Sequence, residues 1–244
     1  MRIIYGANPV MEALKSTRDN IFKVLLSSER NDRVSADILK AAAARDIPVE
    51  RAAQKELDRV SGIAKHQGAV ALISEEFKYC GIEELIDGWK KKGGRALFII
   101  LDSIQDPQNL GSIIRAAAAA GATGVVIPKD RACEITPAVV KASAGATEHV
   151  MVARETNLTR VIERLKDENV WVAAIEAGCE KAIYDADIKT DVALVVGSEG
   201  KGIRRLVREN CDYCVYIPME GPLNSLNAAQ ACAIAIFEVK RQWR

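Results

Sequence analysis

Histidine is scarce in this chain: His66 and His149 are the only two among 244 residues. They lie far apart, so neither completes a metal site around Cys211-Asp212-Tyr213-Cys214, which would need a second Cys or His pair. That C-x-x-C also enters an apolar, strand-like stretch, whereas a redox dithiol opens a helix. The other cysteines, Cys80, Cys133, Cys179 and Cys232, are scattered. No metal is expected, and reduced thiols are the default for a cytoplasmic chain.

An excess of one charge is missing too. Lys and Arg number 34 against 33 Asp and Glu, a formal net charge of +1. Bulk electrostatics therefore give no argument for nucleic acid, and any RNA site must be a local patch. No apolar run approaches the roughly 18–20 residues of a membrane helix. Met1 to Val10 has no apolar core of signal-peptide length. No membrane partner is expected, and the expected compartment is the cytoplasm. What is present is 49% hydrophobic and 27% charged residues, enough to bury the core of one large domain or two modest ones.

Residues 1–76 read as a small α/β unit. Asn8 is placed to cap a helix with Pro9 at its first position. Strands are expected at 22–26, 47–49 and 68–73, with helices at 36–44 and 54–60. Residues 77–95, ending in Lys90-Lys91-Lys92-Gly93-Gly94, read as a linker. From residue 96 to 244 apolar strands alternate with helices. Strands are expected at 96–101, 124–127, 170–175, 192–196 and 213–217, and helices at 112–120, 136–142, 158–168, 204–209 and 225–241. That alternation predicts a doubly wound α/β domain with a parallel sheet covered on both faces.

Ligands of such sheets bind beyond the carboxyl ends of the strands, and three of these ends carry unusual polar sequences. The first runs from Asp102 through Asp106-Pro107-Gln108-Asn109-Leu110-Gly111, with Gly111 read as the entry to a helix that carries Arg115. An arginine there can clamp a phosphate bidentately, or simply sit in solvent. The second is Gly197-Ser198-Glu199-Gly200-Lys201-Gly202. It has neither the Gly-Lys-Ser/Thr of a P-loop nor the G-x-G-x-x-G order of a dinucleotide fingerprint. Its glycines permit close approach of backbone to ligand or mark a tight turn. The third, Ile217-Pro218-Met219 through Asn224-Ser225-Leu226-Asn227, leads into an alanine-rich helix for which Ser225 is the expected cap.

Taken in order, these loops resemble the three motifs of the SpoU branch of SPOUT RNA methyltransferases. The matching text is Asp106-Pro107-x-Asn109-x-Gly111-x-x-x-Arg115, then Val195-Val196-Gly197-Ser198-Glu199-Gly200, then Ile217-Pro218-Met219 with Leu223-Asn224-Ser225-Leu226-Asn227. The resemblance implies an α/β domain with a C-terminal trefoil knot, a homodimer, and S-adenosyl-L-methionine as cofactor. It implies that Gly197, Ile217 and Leu226 hold the cofactor. Asn109, Arg115, Glu199, Ser225 and Asn227 would then form the catalytic site of a ribose 2′-O-methyltransferase.

Ile4-Tyr5-Gly6-Ala7-Asn8-Pro9 and His66-Gln67-Gly68-Ala69-Val70 are similar to the L30e-like RNA-binding domain that precedes certain SpoU enzymes, with His66 favoured as an RNA contact. That pairing most resembles the SpoU enzymes of bacterial 23S rRNA acting on guanosine. The form of the substrate, naked RNA or a ribosomal assembly intermediate, stays open. The competing readings are a tRNA or resistance-type rRNA 2′-O-methyltransferase, a non-catalytic RNA-binding ribosome factor, and a small-molecule Rossmann enzyme.

Overall fold

A computed structural model describes residues 2–16, 20–222 and 225–244. In chain order the elements are β1 (Arg2–Tyr5), α1 (Ala7–Lys15), β2 (Ile21–Ser27), α2 (Arg33–Ala43), β3 (Val49–Ala52), α3 (Gln54–Ser61), β4 (Ala69–Ile73), α4 (Ile82–Lys92), β5 (Leu97–Asp102), α5 (Pro107–Ala119), β6 (Gly124–Pro128), α6 (Pro137–Ala142), β7 (Val152–Glu155), α7 (Leu158–Lys166), β8 (Trp171–Ile175), β9 (Lys181–Ala182), β10 (Val192–Gly197), α8 (Arg205–Glu209), β11 (Tyr213–Tyr216) and α9 (Ala228–Gln242). They fall into two compact units, Met1–Lys78 with Ile135–His149, and Tyr79–Glu134 with Val150–Arg244.

The first unit carries a four-stranded sheet in the order β1-β4-β2-β3. β4 is buried along its whole length, and Val70 and Leu72 pack with Tyr5, Leu25 and Leu57 of α3. α1 begins at Ala7, behind Gly6 at φ 106°, rather than behind the expected cap Asn8. Pro9 still lies in the first turn, where a missing N–H costs no intrahelical bond. His66, expected to reach RNA, is instead fully buried. Its Nδ1 accepts the Gly68 N–H at 3.1 Å, so the proton belongs on Nε2, which faces Asp58 Oδ1 at 3.0 Å. A lone loop histidine has thus become part of the internal bonding between α3 and β4.

Residues 135–149 join this unit although they follow β6 in the chain. α6 packs against β1, and the turn after it approaches α1 so closely that a Cβ on Gly145 would lie 2.8 Å from Glu12 Cβ. Glu148 forms a buried ion pair with Arg2 at 3.4 Å, and His149 meets Glu12 at 2.6 Å. Burial raises the Glu12 carboxyl's pKa, but hydrogen bonds from Lys15 and His149 outweigh it and hold the group below its usual range.

The second unit has a seven-stranded parallel sheet in the order β7-β6-β5-β10-β8-β11-β9. Its central strands are continuous apolar runs and their interiors are almost fully buried. The strands β1, β7 and β9 were outside the expectation from sequence. The stretch 77–95, expected as a linker, contains α4. Leu85 and Ile86 of that helix enter the core with Phe98, Val126 and Ile162, and Trp89 sets its ring edge-on to Phe98 at 6.0 Å. The amphipathic spacing of Ile82, Leu85, Ile86 and Trp89 outweighs the polar composition around it.

The cysteines also depart from the all-reduced expectation. Cys179 and Cys214 form a disulfide, with Cα atoms 5.7 Å apart, while Cys211 is buried as a free thiol. Cys214 lies on β11, and Cys179 in the connection between β8 and β9, the two strands that flank β11. Among the described residues no group of His, Cys, Asp and Glu could hold a metal ion, and no helix is long and apolar enough to cross a membrane.

Candidate active site

The strand order changes direction between β5 and β10: β6 and β7 extend one way, β8 and β11 the other. Such a switch point leaves a crevice at the carboxyl ends of the strands. Gly197 and Asp102 are paired in register at that end. The loops after β5, β10 and β11 all open there.

After β5, Asp106 caps α5 by accepting the Asn109 N–H at 3.0 Å, and Pro107 takes the first helical position. The helix therefore starts five residues before the expected 112, and Gly111 lies inside it, buried. Asn109 is left in the first turn at the crevice. After β10, Ser198 and Gly202 exchange both backbone hydrogen bonds, at 3.2 and 2.9 Å, closing a tight loop over Glu199, Gly200 and Lys201. Gly197 has no alternative: a Cβ there would lie 2.1 Å from Gly202 C. Gly200 and Gly202 have φ of 79° and 64°, a region that favours glycine.

After β11, Asn227 rather than the expected Ser225 caps α9. Its Oδ1 accepts from Ala229 N at 2.9 Å and Gln230 N at 3.3 Å. With that oxygen engaged by the helix end, the amide nitrogen must face outward. It donates to Asn109 Oδ1 at 2.8 Å and to Glu199 Oε1 at 2.5 Å. Asn109 Nδ2 donates to the same Glu199 oxygen at 3.0 Å. One residue from each loop thus meets the other two. Leu223 and Asn224 of the third motif lie outside the described residues.

Beside this cluster is a cavity of about 790 Å³, within the range of small-molecule and cofactor sites. Gly197, Glu199, Ile217, Ser225, Leu226 and Asn227 all line it. Asn109 does not line it but is bonded to Glu199 and Asn227, which do. Arg115 does neither. It shares the exposed face of α5 with Gln108, Ser112 and Ala119. Among the described residues no hydrogen bond or ion pair links Arg115 to the cluster. Glu176, outside all three loops, lines the same cavity, as do Lys201 of the second loop and Met219 of the third, neither of which was expected to act. The signal available for Glu176 was a lone acid closing the apolar run of β8, at a strand end that carried no motif.

The sequence profile of the SpoU rRNA methylase family matches residues 96–237. A second profile, RNA 2′-O ribose methyltransferase substrate binding, matches residues 3–79. The chain belongs to the SpoU rRNA methylase family. SpoU enzymes use S-adenosylmethionine to methylate RNA ribose. A Bacillus subtilis relative assigned to the TrmH family of tRNA/rRNA methyltransferases, YacO, is 40% identical over 98% of this chain and 95% of its own length. The Xanthomonas campestris 23S rRNA (guanosine-2′-O-)-methyltransferase RlmB is 39% identical over 98% of this chain and 96% of its own. The crystal structure of the SpoU methyltransferase AviRb from Streptomyces viridochromogenes with AdoMet superimposes with a TM-score of 0.81 at 22% identity, covering 98% of this chain and 89% of that one. That likeness shows a shared SpoU fold.

Proposed function

We propose that this SpoU chain methylates the ribose 2′-oxygen of a guanosine in 23S rRNA. The observation that carries the reading is the meeting of Asn109, Glu199 and Asn227 beside one cavity, each from a different strand-end loop. The RlmB relative, similar over nearly the whole chain, supports the choice of RNA and nucleoside.

The cavity fits the cofactor in size, and its wall includes the glycine backbone of residues 197–202. Gly197, Ile217 and Leu226 hold the cofactor there, largely through backbone groups. When bound, S-adenosylmethionine supplies a methyl group on a sulfonium, already a good leaving group. The chain's own task is to place the 2′-hydroxyl in line and let its proton go. Asn109 and Asn227 fix the Glu199 carboxylate, and with Ser225 they order the ribose beside it. Arg115 serves as a planar cationic fork rather than as a base, the geometry that grips a phosphate bidentately. It anchors an RNA phosphate and polarises the 2′-oxygen, whose proton leaves late to water.

Residues 3–79 supply the RNA-binding surface, in keeping with the substrate-binding profile that they match. The enzyme works in the cytoplasm as a homodimer with the knotted segment of its family, on rRNA or a ribosomal assembly intermediate. A tRNA substrate is the second reading, favoured by the tRNA/rRNA description of the Bacillus relative. Calorimetric titration of the full chain with S-adenosylmethionine tests the reading at its base: one site per chain is expected, and absence of binding overturns it.

A further inference from the structure

We infer that Asp102 is a positioning residue for methyl transfer, acting through the loop that carries Glu199. The inference rests on the proposed function and adds a residue that the family motifs quoted above leave without a role. Asp102 ends β5 and is 0% exposed. Both of its oxygens are engaged. Oδ2 accepts the Arg204 backbone N–H at 2.8 Å, and Oδ1 accepts Arg204 Nε at 2.7 Å and the Ser103 hydroxyl at 3.1 Å. A carboxylate out of contact with water is costly unless its partners satisfy it fully. Here two of the three partners belong to one residue, Arg204, at the end of the glycine loop.

The position of that loop follows from three holds. Gly197 ties its start into the ladder opposite Asp102 itself. The Ser198–Gly202 bonds close its neck. Asp102 then takes Arg204, with only Ile203 between neck and latch. The residue next to Asp102, Ser103, sits at φ 66°, a conformation L-residues adopt reluctantly, and its hydroxyl is spent on the same carboxylate.

A second carboxylate holds the loop from the opposite side. Glu176, following β8, lies 3.4 Å from Ile203 N and 3.5 Å from Arg208 Nε. β5 and β8 are the two neighbours of β10 in the sheet. The loop after β10 is therefore braced from both flanking strands. The Glu176 contacts are longer and its side chain is one-third exposed, so Asp102 is the stronger brace.

Asp102→Asn keeps the shape but turns one acceptor into an NH2 that must face an Arg204 donor. The loop then shifts, and Glu199 leaves its place against Asn109 and Asn227. In the full chain, Asp102→Asn is expected to lower the single-turnover rate of methyl transfer about 100-fold, the scale of a misplacement near 1 Å. The RNA KM should stay within about threefold. Arg204→Ala loses the guanidinium arm but keeps the backbone arm, and its loss should be smaller, about tenfold.

The decisive readout is coupling. In a Glu199→Gln background, Asp102→Asn should cost less than about threefold more, because it acts through a residue already impaired. A purely structural brace would exact its full cost in both backgrounds, and that result overturns the inference. Should Asp102→Asn fail to fold, Arg204→Ala decides, since Arg204 is half exposed: a folded variant with the wild-type rate also overturns it. An active wild type with an unimpaired Asp102→Asn sinks this inference alone. A wild type that transfers no methyl group sinks the function on which it rests.

Discussion

Asn227 donates to Glu199 Oε1 at 2.5 Å while its own oxygen caps α9 through the Ala229 N–H at 2.9 Å. The helix end therefore fixes which face of the amide meets the carboxylate. Exchanging the amide for a carboxylate keeps the cap and removes the donor. Asn227→Asp then sets two like charges against each other in a partly enclosed site. Transfer is expected to fall about 100-fold at neutral pH, while the cap, worth about 1 kcal/mol, is retained. Single-turnover kinetics and thermal unfolding on one sample check both halves.

Gly197→Ala tests the cofactor side of the site. The added methyl would lie 2.1 Å from Gly202 C, so the Ser198–Gly202 bonds must open. Affinity for S-adenosylmethionine should drop at least about tenfold by calorimetry, about 1.4 kcal/mol.

Arg115 is exposed on α5, so replacing it should leave folding and cofactor affinity unchanged. Arg115→Lys preserves charge but loses the planar fork that grips a phosphate bidentately. A single-turnover rate at least about tenfold below wild type is expected. A near-wild-type rate would show that bidentate anchoring is not its role.

Burial pushes the thiols of Cys211 and Cys232, and the Tyr213 phenol, up to about 12. An unfolded cysteine ionises near ~8.5 and tyrosine near ~10. Each group is raised in the folded state and neutral when protonated. Its stabilising share is fully present below the unfolded pKa and is lost as pH climbs from there toward about 12. Urea midpoints should decline from about pH 8.5 upward, and Cys232→Ala should show a shallower decline than wild type.

Much of this site was readable because it lies at strand ends, where apolar runs stop abruptly at polar text. Asp106-Pro107 and Asn227 are strong local signals, yet Gly111 and Ser225 offered equally plausible starts for α5 and α9. Only the packing of both helices decides between such neighbours. The buried state of His66 depends on Asp58 and Gly68 across a turn, and the Cys179–Cys214 pair spans 35 residues. Neither the side-chain bonds of a turn nor a pairing across 35 residues leaves a periodic trace. The return of residues 135–149 to the first unit is the extreme case, since Gly145 and Glu148 answer to Glu12 and Arg2. α4 differs: its apolar spacing is present in the sequence, but lysines and glycines around it give the stretch the composition of a linker.

The most direct test of the proposed activity offers the full chain labelled S-adenosylmethionine with total rRNA and total tRNA, followed by mapping of the modified position through its resistance to alkaline cleavage. Label is expected in 23S rRNA, at the ribose of a single guanosine. Label confined to tRNA, label on a base, or no transfer to either RNA would contradict it.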